Sequence, residues 1–408
     1  LVVTLMMTVV FVGLSATPTA GAATGATAPL TVTTSSLPPA TVGVAYMADL
    51  SASGGNPPYE WRVIFGTLPR GITLDRSTGE IAGTTKQTGL ITFTVEVRTK
   101  APRSTATKAL SIQSNLPSVA SDFVTGLPDV QPPSPYAGVG PTALVFDPAN
   151  QLLVSDAANS GFYSFGPDGS SNPQPISTGN TQGSLALAKD GQLFSAEYQA
   201  GSLDQIDPVS GAVIRQLNPP GVMYPCIAGV AIDPVSGDLF FTQPNSGGVC
   251  PGSTTITRVE DPTSSNPVFT TFIDLGSASA DGLVFSRRGT LYAVVQSGTL
   301  GCATRITGAN GGRPTTVTPL FCVNGPGDLA GLDSITLSTN AQEPPTLDVG
   351  GPAGTIWSVD QSTTPPTGTP VITLGTRVDA LTVGRDGCLY ATQSTAIEKI
   401  SQQNGDCP

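Results

Sequence analysis

Apolar positions in the C-terminal two thirds of this chain repeat one phrase: a short apolar strand, a tight turn, then a second apolar strand. The phrase begins at Thr142-Ala-Leu-Val-Phe-Asp147, Gly183-Ser-Leu-Ala-Leu-Ala188, Ala228-Gly-Val-Ala-Ile-Asp233, Asp281-Gly-Leu-Val-Phe-Ser286, Ala330-Gly-Leu-Asp-Ser-Ile335 and Asp379-Ala-Leu-Thr-Val-Gly384. The second strands include Gln151-Leu-Leu-Val154, Asp238-Leu-Phe-Phe241, Thr290-Leu-Tyr-Ala293 and Cys388-Leu-Tyr-Ala391. Gly289 and Gly387 supply the positive φ that the intervening hairpin turn needs. The copies are spaced by roughly 40–55 residues, the period of propeller blades, and six copies predict six blades.

A separate block precedes the repeats. Thr92 to Val97 alternates, with Phe93, Val95 and Val97 on one face, as a half-buried strand does. Gly54-Gly55 and Thr78-Gly79 are turn signals between strands. Trp61 fits a plug between two sheets; a place in a ligand site is the sharper alternative. Together the two blocks predict an all-β chain: a β-sandwich over 29–113, a linker over 114–121, and a six-bladed propeller over 122–408. The last blade lacks an outer strand, and the lone strand at 122–127 can supply it. That pairing would close the ring and hide its sheet edges.

Ahead of both lies the apolar run Leu1–Leu14, then Ser15 to Ala22 with an Ala20-Gly-Ala22 cleavage pattern. Residues 1–22 read as a signal peptide and 23–28 as a disordered segment. No initiating Met or basic n-region is present, so the start reads as truncated or as a non-Met start codon. A membrane span would need about 20 apolar residues, so the expectation is a secreted or cell-surface protein, not an integral membrane one.

Composition narrows the chemistry. Only 12% of the 408 residues are charged, against 47 Gly and 37 Pro, which favours turns over long amphipathic helices. The net charge of −11 opposes binding to nucleic acid. There is no histidine, which removes Ser-His-Asp and Cys-His triads, HExxH zinc sites and the usual proton shuttle near neutral pH. The six cysteines allow 15 pairings. Neighbour pairing within blades gives Cys226–Cys250, Cys302–Cys322 and Cys388–Cys407, each pair on one rim. No Cys-x-x-Cys spacing suggests a thiolate metal site or a redox pair.

The starts of the innermost strands face the central channel, at Thr142, Gly183, Ala228, Asp281, Ala330 and Asp379. The second strands end on the same rim, at Asp156, Glu197, Gln243, Val295 and Gln393. That rim is the candidate pocket, with Asp156, Glu197, Gln243 and Gln393 as candidate ligand-binding residues. Asp281 and Asp379 are candidate metal ligands; the alternative is that each caps a turn through its own backbone.

Two resemblances add to this reading. Leu37-Pro-Pro-Ala-Thr-Val-Gly-Val-Ala-Tyr46, Gly54-Gly-Asn-Pro-Pro-Tyr-Glu-Trp61, Leu68-Pro-Arg-Gly-Ile-Thr-Leu-Asp75 and Ser77-Thr-Gly-Glu-Ile-Ala-Gly-Thr84 resemble the Ig-like, cadherin-like (He-PIG type) domains of bacterial surface proteins. The cadherin-like label implies calcium, but Asp49, Glu60, Asp75, Glu80 and Glu96 form no calcium pattern.

Residues 121–408 resemble NHL and gluconolactonase/SMP-30-like propellers, most closely at Asp281-Gly-Leu-Val-Phe285 with Gly289-Thr-Leu-Tyr-Ala293, and at Leu152-Leu-Val-Ser-Asp-Ala-Ala-Asn159. In the SMP-30-like hydrolases a Glu, an Asn and an Asp at channel positions hold a divalent metal. Asp281 matches that Asp, whereas Thr142 and Ala228 stand at equivalent blade starts, with Asp379 as a substitute ligand. Streptogramin-lyase-like propellers share the repeat, but their proposed chemistry uses a histidine base. The leading expectation is an extracellular binding or scaffold protein for a protein, glycan or small ligand. The alternative is a metal-dependent lactone or ester hydrolase using Asp281 and Asp379 with Ca²⁺ or another divalent ion.

Overall fold

The computed structural model describes residues 28–131, 139–171, 173–178, 183–197, 201–244, 253–308, 314, 316–325, 331–338 and 344–407. The signal-peptide expectation for 1–22 lies outside them, as do residues 23–27. Every regular element among the described residues is a strand. No described helix is long and apolar enough to cross a membrane.

The first module packs a four-stranded sheet (Ala40–Thr41, Thr105–Asn115, Gly89–Arg98, Glu60–Gly66) on a three-stranded one (Ala45–Asp49, Glu80–Thr84, Ile72–Leu74). Phe93, Val95 and Val97 point into the core while Thr92, Thr94 and Glu96 point away. Trp61 is 2% exposed, in the same cluster as Ile81, Val95 and Ile112, so it is the core plug. Its indole needs a bare backbone beside it. A Cβ on Gly79 would stand 2.7 Å from the Trp61 Nε1, and Gly79 has φ +85°.

Beyond it, six sheets form the blades, five of them antiparallel with strands in chain order; the sixth joins the last three strands to an earlier one, against which Ser170–Ser171 lies parallel. Their innermost strands are Pro141–Phe146, Leu185–Leu187, Val230–Ile232, Ser279–Phe285, Ser334–Leu337 and Leu381–Val383. Each lies against the next, and the first lies against the last, so the ring is closed. Gly289 and Gly387 have φ of 79° and 83°, as their hairpins require.

The closing strand is Ser118–Thr125, antiparallel to Ala396–Gln402 of the sixth blade. Only Leu116 and Pro117 separate it from the last sandwich strand, so residues 118–121 are strand and not linker. Their side chains are largely exposed and carry no apolar alternation. Pairing with the blade edge, and not their own pattern, makes them a strand. Phe123 anchors the seam edge-on to Tyr390, with ring centroids 4.9 Å apart.

Cys302–Cys322 joins directly paired residues of adjacent strands, and Cys388–Cys407 ties the C-terminal residues to the second strand of blade six. Cys226 is disulfide-bonded, and Cys250 lies outside the described residues. Closing loops of 20 and 19 residues removes unfolded-chain entropy corresponding to about 3 kcal/mol each.

Candidate functional site at the channel mouth

The channel encloses a cavity of about 270 Å³, lined by the inner strands, with Thr142, Ala228, Asp281, Asp333 and Asp379 among its residues. Asp281 and Gly282 leave the strand ladder in a bulge between Ala280 and Leu283. Two neighbouring blades hold that bulge. Thr242 Oγ1 donates to the Asp281 carbonyl at 2.7 Å, and the Gly282 N–H donates to the Asp333 carbonyl at 3.1 Å. A Cβ on Gly229 would fall 2.0 Å from the Asp281 carbonyl oxygen, so only glycine allows blade three to approach.

Asp333 in blade five is the counterpart of Asp281 and Asp379. Ala330, the residue expected there, lies outside the described residues. The repeat continues as Asp333-Ser-Ile-Thr-Leu337 and not from Ala330-Gly-Leu332.

Arg377 joins these carboxylates. Its Nε donates to Asp379 Oδ1 at 2.6 Å, and its Nη2 lies 3.4 Å from Asp333 Oδ2. Gln296 Nε2 lies within donating distance of Asp281 Oδ2 (3.3 Å), Asp333 Oδ1 (3.1 Å) and the Leu332 carbonyl (3.1 Å). Gln393, at the sixth blade's second-strand end, holds the turn carrying Arg377. Its Oε1 accepts from the Thr376 N–H at 2.8 Å, and its Nε2 donates to the Arg377 carbonyl at 3.2 Å. Its amide is engaged by the chain itself.

The electrostatics follow from this crowding. Burial, then the Asp379 charge, pushes the Asp281 carboxyl up to about 7, against the pull of Arg377 and Gln296. Burial and Asp281 raise Asp333 as well. Burial alone would lower Arg377, but the charges of Asp379 and Asp333 outweigh it and hold the guanidinium more firmly protonated.

The other rim residues stand apart. Asp156 is fully buried at the end of blade one's second strand; Oδ1 accepts from the Ala158 N–H at 2.7 Å, and Oδ2 has no partner. Burial pushes its carboxyl up to about 6. Glu197 is 9% exposed with Oε1 unpartnered, and burial and Asp204 raise its pKa. Gln243 donates to the Pro225 carbonyl at 2.8 Å. Asp281 and Asp379 thus share a cluster with Asp333, Arg377, Gln296 and the supporting Gln393, whereas none of the bonds of Asp156, Glu197 or Gln243 reaches it.

The donor set bears on a metal. The oxygens of Asp281, Asp333 and Asp379 do not gather within 4.8 Å of one another; among the described residues the one group that does is Asp386 with Cys388 and Cys407. Those sulfurs are joined in a disulfide, and Asp386 pairs with Lys399 at 2.7 Å. At the channel mouth two of the three carboxylates already face a guanidinium, so the residues present do not fit a divalent ion while Arg377 stays in place. In the sandwich, Asp75 accepts from Ser77 and Thr78, and Glu96 pairs with Arg62 and Arg98.

Comparison with known proteins agrees with the architecture. The family described as "Putative Ig domain" matches residues 14–115. A solved structure titled "putative gluconolactonase" is 17% identical, covering 70% of this chain and 92% of its own, with a TM-score of 0.53. A gluconolactonase from Xanthomonas campestris is 15% identical over 68% of this chain and 88% of its own, at 0.51. An auxiliary nutrient binding protein from Bacteroides ovatus is 11% identical over 92% of this chain and 98% of its own, at 0.50. No curated protein matches the chain in sequence. At these identities the likeness is one of fold. The chain joins an Ig-like domain to a β-propeller similar in fold to these gluconolactonase structures.

Proposed function

We propose that this chain is an extracellular binding protein in which the Ig-like domain carries the propeller and the channel mouth recognises a small polar ligand or a glycan terminus. The observation that supports this most is the held geometry of the mouth. Asp281, Asp333 and Asp379 are fixed by Arg377 and Gln296, and their oxygens offer acceptors for hydroxyl or ammonium groups. A cavity of about 270 Å³ suits a small group. The disulfides suit an oxidising compartment, and the auxiliary nutrient binding protein offers a precedent for binding on a similar fold over nearly the whole chain. Isothermal titration of monosaccharides, short oligosaccharides and polyamines into the full chain tests the reading. Binding that persists in EDTA and weakens in Asp333→Asn is expected. Failure of every such probe, or binding indifferent to Asp333→Asn, would remove it.

A second reading, a metal-dependent lactone or ester hydrolase, draws on the gluconolactonase neighbours and needs Arg377 displaced from Asp379 before a divalent ion could bind. It requires turnover that depends on added divalent metal and disappears in Asp281→Asn.

A further inference from the structure

Three carboxylates from three successive blades, Asp281, Asp333 and Asp379, meet at one end of a narrow channel. Like charges at such a place need a cation or protons. The chain has few cations to spend, with 18 Lys and Arg against 29 Asp and Glu. Yet one arginine is held here, two residues before Asp379. Its guanidinium spans blades five and six, bonding Asp379 Oδ1 and approaching Asp333 Oδ2. The turn that carries it is fixed from below. Gln393 accepts from the Thr376 N–H and Oγ1 and donates to the Thr376 and Arg377 carbonyls. Both polar atoms of that amide bond the Thr376–Arg377 turn, and Nε2 also reaches the Thr392 carbonyl at 2.9 Å.

We infer that Arg377 is the resident cation of this channel, with Gln393 as its positioning residue, and that the propeller mouth is built to work without a divalent ion. This does not depend on which ligand the mouth binds. The divalent ion implied by the resemblance, held there by Asp281 and Asp379, and Arg377 are alternatives, because both need the oxygens of Asp379. Arginine suits the role: its planar fork reaches two carboxylates and stays charged when partly buried. Protons complete the balance, since burial raises the affinity of Asp281 and Asp333 for them. A fixed guanidinium presents directed N–H donors and, unlike a metal, no open coordination position. A ligand at this mouth therefore meets hydrogen-bonding groups and not a Lewis acid.

The test uses the full chain and calcium chloride as the probe, followed by isothermal titration and by the melting temperature. Wild type is expected to bind no calcium at the mouth. Arg377→Met is expected to gain one site, with a Kd of roughly 10⁻⁴–10⁻³ M as in extracellular calcium modules, and to lose it again when Asp379→Asn is added. If Arg377→Met does not fold alone, calcium is expected to restore its circular dichroism. One equivalent of calcium bound by wild type and lost in Asp281→Asn would overturn the inference. So would a folded Arg377→Met that gains no site, or an unfolded one that calcium does not rescue. Failure of the sugar and polyamine screen leaves these outcomes untouched, so the two readings fail separately.

Discussion

In blades four to six, Asp281, Asp333 and Asp379 surround one guanidinium and one amide; in blades one and two, Asp156 and Glu197 are buried with an oxygen apiece that meets no donor. Two parts of one rim, inner-strand starts and second-strand ends, thus surround their buried carboxylates differently. Where a cation is supplied, the carboxylates form part of an ordered network. Burial raises the proton affinity of carboxyls in both regions, but beside Asp156 and Glu197 no cation opposes it. Burial alone therefore does not mark a functional carboxylate; what faces it does.

The largest expected effect breaks the first arrangement. Arg377→Met leaves three carboxylates at the mouth without their cation and should destabilise the propeller by about 3 kcal/mol, measured by urea unfolding in the absence of calcium. The buried carboxyls of both regions should show themselves in pH. Burial raises Asp156, and Asp348 in the second strand of blade five (Leu347–Gly350), to about 6 and Asp281 to about 7, from 3.8. A raised carboxyl pKa means that the folded state holds the proton more tightly than the unfolded one. This stabilising contribution is full below about pH 4 and is lost as pH rises through 6 to 7. Melting temperature should accordingly fall between about pH 4 and 7 and level off above.

Asp156→Asn should flatten that profile, because the raised pKa corresponds to about 3 kcal/mol by neutral pH. It should stabilise at pH 8, the opposite sign to Arg377→Met. A smaller loss, about 1–2 kcal/mol, is expected for Gln393→Ala, which frees the Thr376–Arg377 turn. A melting temperature unchanged in EDTA is the smallest effect expected, and a drop of several degrees would contradict the self-supplied cation.

Much of the fold was legible because alternation and turn chemistry repeat. The blade period, the left-handed turns at Gly289 and Gly387 and the inward face of Phe93, Val95 and Val97 all follow from local pattern. So did two of the disulfides, which join residues brought close within a blade. The site was legible in part. Asp281 and Asp379 stood out because their blade starts are regular. Asp333 was hidden by Ala330-Gly-Leu332, which imitates Ala228-Gly-Val230 three residues too early. The matching of Asp333-Ser-Ile-Thr-Leu337 to Asp379-Ala-Leu-Thr-Val383 was the available signal. Gln296 was missed for a different reason. The bulge at Asp281 and Gly282 adds residues to one strand, so Ser279 pairs with Gln296 and counting from the hairpin ends at Val295. Arg377 lies outside the repeated phrase, and nothing in strand periodicity reports an ion pair across blades.

The two-residue connection between the sandwich and the closing strand has a mechanical consequence. Residues Ser118–Thr125 are at once the continuation of the Ig-like domain's last strand and the clasp of the ring. Tension applied through that domain would therefore load the seam itself, not an intervening slack tether. Its partner, Ala396–Gln402, lies inside the covalent loop closed by Cys388–Cys407. One side of the clasp is thus riveted while the other carries the pull, so the hydrogen bonds between them are the fuse that gives way first.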